Sequence, residues 1–231
     1  MVSRTWKRRT LVFCLACLAL HALFDPLAMV LYPGGTCIDE DTEGYSFFEN
    51  FYSDLGMAHT YGGEPNTLSS LLFASVNALN GIALLFFSVI MPSYFTATRL
   101  ERFSSRVGSI CGVLAGVSSV GAMIPADLYL SAHLVFTFST SALFLLAFVF
   151  YSVAMLKNRR YPNVYAAVFA VYLVVLVAYY LGLTFLGLTD IGTREDLVIV
   201  ATGQKIVIYS GFIFSFVQYL GVLDYHRRHS G

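Results

Sequence analysis

Four strongly polar side chains stand inside otherwise apolar stretches: Asp25, His133, and the adjacent pair Gln204 and Lys205. A charged group inside hydrocarbon costs roughly 2.5 to 3.5 kcal/mol on insertion scales, so one that is retained needs a partner, a wet cavity or a task. An acid, an imidazole and an ammonium can neutralise one another or surround a charged headgroup. Asp127, just past Pro125, and Ser53, Asp54 and His59, in the polar stretch 33–66, extend the candidate binding set. Two chemistries follow from these types. His133 can serve as a general base with Ser53 as nucleophile and Asp127 as orienting acid, although nothing around Ser53 has the form of a nucleophile elbow. His59 and His133 with Asp54 or Asp127 could supply three zinc ligands, but no H-E-x-x-H or paired-histidine spacing is present, and the reading is no metal and no cofactor.

The elements that must position these groups are membrane spans. The 231 residues are 57% hydrophobic and 12% charged, with a mean hydropathy of +0.70, too apolar for a soluble fold of this size. Apolar runs of about 20 residues account for that composition. Six are predicted, over residues 10–32, 67–91, 104–124, 128–156, 163–188 and 198–223, all within one membrane domain. At 1.5 Å per residue, Asp25, His133 and Lys205 each fall roughly 8 to 10 Å below the same membrane boundary. Three helices thus bring polar groups to one depth.

Charge asymmetry sets the expected orientation. Twelve of the 14 Lys and Arg residues flank the spans on one side: Arg4, Lys7, Arg8, Arg9, Arg99, Arg102, Arg106, Lys157, Arg159, Arg160, Arg227 and Arg228. The positive-inside rule makes that side cytoplasmic, with both termini there, in the cell membrane if the source is prokaryotic. Acids concentrate opposite, from Asp39 to Glu64 and at Asp190, Glu195 and Asp196.

The 33–66 segment is the one long polar stretch. Ser46 and Glu49 have the spacing of a capping box, predicting a short amphipathic helix from Phe47 to Gly56 that covers the mouth of the bundle or lies on the bilayer. Gly108, Gly112 and Gly116 recur at four-residue intervals in the third span, a pattern that lets helix backbones approach closely in lipid. Cys14, Cys17 and Cys111 lie in apolar segments, leaving Cys37 alone in the loop, so no disulfide framework is expected. The fold class is all-α, a six-transmembrane-helix bundle with a short amphipathic helix in its first outer loop. No nucleotide loop or nucleic-acid surface is present.

The run Phe51-Tyr52-Ser53-Asp54-Leu55-Gly56 entering the second span resembles the I-S-D-x-G signature of the damage-regulated autophagy modulator superfamily of six-span proteins. RFSSRVGSICGVLAG followed by DLYLSAHLVFTFSTSALF is similar to that family's third helix and its A-A-H fourth helix, which matches His133. YPGG followed by GYSFFENFYSDLG is closer still to uncharacterised prokaryotic membrane proteins of a domain-of-unknown-function type. The chain departs from the eukaryotic members in the sixth helix, where Gln204-Lys205 stands in place of Glu-Trp. The resemblance implies a lipid context: relatives include autophagy modulators, regulators of phosphoinositide metabolism and lipid asymmetry, and proteins tied to glycosylphosphatidylinositol remodelling.

The expected function is therefore binding of a lipid or amphiphile headgroup in an outward-facing polar cavity. Lys205 and His133 would contact an anionic group while Asp25 and Asp127 balance them. The alternatives are a lipid-remodelling hydrolase or transferase that uses His133, and a non-catalytic scaffold or regulator. The expected partners are membrane lipid and, at the basic cytoplasmic loops, anionic lipid.

Overall fold

In a computed structural model of the protein, describing residues 3–188 and 191–228, the chain forms six long helices. They are α1 Arg4–Val30, α2 Thr67–Ile90, α3 Arg99–Gly121, α4 Ala126–Lys157, α5 Val164–Phe185 and α6 Arg194–Arg228. Each is long and apolar enough to cross a membrane. The expected spans fall within two or three residues of these helices wherever hydrocarbon ends the run; α1, α3 and α6 continue further, through polar turns at Arg4, Arg99, Arg194 and Arg228. Asp190, one of the acids used to orient the chain, lies outside the described residues.

Each helix packs on its neighbours in the chain, and α6 closes back on α1. The helices follow one another around a ring, and Phe87 of α2 reaches across its interior to Tyr219 of α6 at 4.8 Å and Tyr151 of α4 at 6.4 Å between ring centres. The tightest part is the α2–α3–α4 side, where the glycine series does what small residues do in lipid. A Cβ on Gly116 would stand 2.7 Å from the Gly81 carbonyl oxygen, and one on Gly108 would stand 2.8 Å from the Tyr151 ring; one on Gly112 would run into the Ser88 hydroxyl. Contact that close, with backbone at Gly116 and with side chains at Gly108 and Gly112, leaves no room for a Cβ. Large apolar residues such as Leu23, Ile110, Val135, Val174 and Ile213 face outward, as a bilayer requires.

The 33–66 segment is a folded plug seated on one end of the ring. Its helical part is shorter than expected, a 3₁₀ turn over Tyr52–Gly56. The predicted helix start fails for a local reason. The Asn50 side chain turns back to accept the Ser46 N–H at 2.9 Å, closing a turn where the capping box would have opened a helix. Leu55 and Tyr52 then bury with Tyr32, Ala28 and Phe73. Asn66 binds the plug from below, its amide nitrogen lying 3.1 Å from the Leu55 carbonyl and 3.0 Å from that of Met57. Gly35, at φ +84, makes the left-handed turn that lets the strand-like pair Gly34 and Glu43 meet.

Candidate functional site

Helix spacing brings three pairs of polar groups to inward-facing stripes: His21 with Asp25 on α1, Asn77 with Asn80 on α2, and Lys205 with Tyr209 on α6. Tyr52 of the plug descends among them. The Asn80 amide donates to His21 Nδ1 at 3.0 Å, so the ring proton sits on Nε2 and points to the Tyr52 hydroxyl, also at 3.0 Å. Tyr52 donates in turn to Asn77 Oδ1 at 3.4 Å, and Asn77 donates to the Phe73 carbonyl at 2.9 Å. Burial raises the Tyr52 phenol well above its ordinary range, so it stays protonated. Asp25 Oδ2 accepts from the Tyr209 hydroxyl at 2.8 Å, while its Oδ1 stands 3.9 Å from His21 Nε2 and has no hydrogen-bond partner among the described residues.

Above this network the charged groups hold the plug. Lys205 is 1% exposed. Its ammonium donates to the Asn50 carbonyl and lies 5.4 Å from the Tyr45 ring centre and 5.3 Å from that of Phe47, within cation–π range. Asp54 and Asp25 are the carboxylates whose fields reach it, yet among the described residues neither comes within ion-pair distance. Asp54 accepts from the Phe51 N–H at 2.8 Å, the Asn50 amide at 3.1 Å and the Tyr61 hydroxyl at 3.3 Å. Burial nevertheless pushes its carboxyl up to about 6, against the pull of those donors and of Lys205. Gln204 Oε1 accepts the Tyr52 N–H at 2.8 Å, tying α6 to the plug once more.

Asp127 caps the plug from α4. Its two oxygens accept the N–H groups of Ala58 at 2.9 Å and His59 at 3.0 Å, and His59 Nδ1 lies 3.5 Å away. His133 turns elsewhere. Its Nδ1 donates to the Ile124 carbonyl at 3.1 Å, which fixes the tautomer and leaves Nε2 as the basic nitrogen.

Below the plug the ring of helices encloses a cavity of about 240 Å³, lined from all six helices. α4 and α6 face each other across it without packing together. Its walls are largely apolar, and its polar groups are Ser53, Asn77, Asn80, Ser119, His133, Thr137, Thr140, Ser141, Gln204 and Ser215, with the phenols of Tyr52, Tyr172 and Tyr219. Among the described residues no Asp, Glu, Lys or Arg lines it.

The structure thus divides the predicted site. Ser53, His133 and Gln204 share the cavity, whereas Asp25 and Lys205 are spent on the network and the plug, and Asp54, His59 and Asp127 sit in or against the plug. The expected meeting of Asp25, His133 and Lys205 around one headgroup does not occur, because equal depth on three helices does not imply equal direction. The Ser53–His133–Asp127 relay is not assembled either: Asp127 is occupied by backbone amides and His133 by a carbonyl. The zinc set is divided in the same way, with His59 beside Asp127, His133 turned to Ile124 and Asp54 enclosed by its own donors. His21, Tyr52 and Tyr209 are outside the predicted site, His21 because its position deep in the first span sets it apart; the i,i+4 spacing of His21 with Asp25, and of Lys205 with Tyr209, is the signal that points to the first and last.

Fold and site together define an integral, multi-pass, six-helix membrane protein with a neutral central cavity under a folded plug. The chain matches no family model, no curated protein and no solved structure.

Proposed function

We propose that the protein binds a membrane amphiphile in the central cavity, with the basic end of the bundle in the cytoplasm and the plug outside. The cavity wall carries the reading: mostly apolar surface with scattered hydroxyls, amides and one imidazole, and no formal charge. Such a wall suits an acyl or isoprenoid segment together with an uncharged polar group. An anionic headgroup would meet no cation inside it. The volume is that of roughly eight water molecules at about 30 Å³ each, enough for a headgroup or part of a chain. Ser53, His133 and Gln204 would fix the polar part near the plug. The similarity of the YSDLG run and of the His133 helix to the damage-regulated autophagy modulator superfamily supports the same lipid context.

The test is Thr137→Phe. Thr137 lines the cavity and makes no side-chain hydrogen bond among the described residues, so a phenyl ring there fills the space with little other disturbance. Native mass spectrometry of protein extracted from its own membranes should show a retained amphiphile in wild type, and at least tenfold less in the variant. Equal retention in both, with both folded, would refute cavity binding.

One observation favours a second reading, a lipid hydrolase or transferase. His133 uses Nδ1 for the Ile124 carbonyl, and among the described residues its basic nitrogen makes no hydrogen bond, in a side chain that lines the same cavity as Ser53. Turnover of labelled membrane lipids that disappears in His133→Ala would establish it over simple binding.

A further inference from the structure

At the end opposite the plug a second cavity of about 400 Å³ opens between the α2–α3 and α4–α5 turns. An aromatic cluster builds its back. Tyr161 is 2% exposed and packs on Phe95 at 5.4 Å and on Tyr225 at 5.1 Å between ring centres. The Asn158 side chain accepts the Arg160 N–H at 3.0 Å, which sets the backbone that carries Arg159 and Arg160.

Lys157, Arg159 and Arg160 line this cavity, all three exposed. Among the described residues none of them forms an ion pair. Among the described residues the one acid in the wall is Glu101, itself 1% exposed. Its carboxylate is turned inward, onto the Ala97 N–H at 3.2 Å and the Thr98 hydroxyl at 3.4 Å. Three cations against one carboxylate leave the wall at +2. Arg102, outside the wall, donates to the carbonyl of the wall residue Thr96 at 2.7 Å. Lys157 is the last residue of α4, so the cavity opens at the level where a spanning helix leaves hydrocarbon.

We propose that this cavity is a binding site for a phosphate group, presented by an anionic membrane lipid. Guanidinium forks match phosphate oxygens in pairs, and the ammonium at the helix end adds a point charge. A headgroup that also carries a cation would meet the same three positive charges and be disfavoured. This site is independent of the central cavity, being at the other end of the helices and opposite in character.

Full-length protein in neutral detergent would be titrated calorimetrically with dioctanoyl phosphatidic acid, dioctanoyl phosphatidylcholine and inorganic phosphate. Phosphatidic acid should bind and phosphatidylcholine should not. Arg159→Gln with Arg160→Gln should weaken binding about 25-fold, from about fivefold per cation near a membrane surface, and Lys157→Gln alone about fivefold. The control is Arg8→Gln with Arg9→Gln, two exposed cations outside the cavity, and should change affinity less than twofold. Inorganic phosphate binding as tightly, with the same dependence on Arg159 and Arg160, would keep the phosphate site and reassign its source to a free anion. Equal losses in the cavity and control variants, or no loss in either cavity variant, would overturn it.

Discussion

The plug-covered end and the basic end of the bundle both concentrate charge, and they use it in opposite ways. At the plug, Lys205, Asp54 and Asp25 are buried and occupied by carbonyls, amides and hydroxyls of the protein itself, and Asp127, nearer the surface, is occupied by two backbone N–H groups. At the basic end, Lys157, Arg159 and Arg160 stand around an open cavity and form no ion pair among the described residues. A buried charge in lipid is costly unless it is partnered, and the plug end spends most of its polar groups on its own construction, with Asp25 Oδ1 the exception. Cations in the headgroup region carry no such cost and remain available. Polar groups at membrane depth therefore do not mark a ligand site until their internal partners have been counted.

The largest effect should come from Lys205→Met. That change removes the donor to the Asn50 carbonyl and the one cation beside Asp54 and Asp25. A lost charge-assisted hydrogen bond in a buried setting costs about 2 to 3 kcal/mol. Amides of residues 45–61 should exchange with deuterium on the order of 100-fold faster while those of α2 and α3 keep their protection. Unchanged exchange in the plug would mean that Lys205 does not hold it.

Next is the pH dependence of the plug. Asp54 has its carboxyl raised from 3.8 to about 6, so between those values the folded plug binds more protons than the released one. Stability then falls as pH rises through that window and is level above it. The plug should hold more firmly at pH 5 than at pH 7, by on the order of 1 kcal/mol. Protease cleavage of the plug, measured at both pH values after correction for protease activity, would show it; Asp54→Asn should abolish the difference.

Much of this architecture was readable before any coordinates. A run of apolar residues long enough to cross a bilayer has one outcome, so the six spans and the glycine contacts of α3 follow from spacing alone. The polar layer was half legible. Depth follows from residue number at 1.5 Å per residue, but direction depends on how each helix is rotated in the ring. Asp25 accepts from Tyr209 and Lys205 donates to the Asn50 carbonyl, so the two face different partners. The plug was least legible, because its shape depends on tertiary contacts such as Asn66 to Leu55 and Met57 and Asp127 to Ala58 and His59. Those contacts have no local signature.

Asp127→Ala sharpens the same contrast at smaller size. Two N–H groups of the plug lose their acceptor, but they lie near the surface where water can replace it, so the cost should be about 1 kcal/mol. The expected sign is faster exchange confined to Ala58 and His59 and their neighbours, with the Tyr52 amide, which binds Gln204, unaffected. Acceleration spreading to Tyr52 would show that the plug opens as one unit and not from its α4 edge.

The smallest effect is expected where the cation of a charge pair is solvated. Arg194 donates through Nε to Glu49 Oε1 at 2.8 Å, joining α6 to the plug much as Lys205 does, but its side chain is 73% exposed, against 13% for that of Glu49. Water and salt screen such a pair, and holding two long side chains in place offsets what attraction remains. Arg194→Gln should leave thermal unfolding and plug exchange unchanged within error, as should Arg159→Gln with Arg160→Gln at the other end. The two variants should part only when an anionic lipid is added: it should raise the unfolding temperature of Arg194→Gln as it does that of wild type, and raise that of the double variant much less. If Arg194→Gln instead loosens the plug as strongly as Lys205→Met, burial is not what separates the working charges from the idle ones.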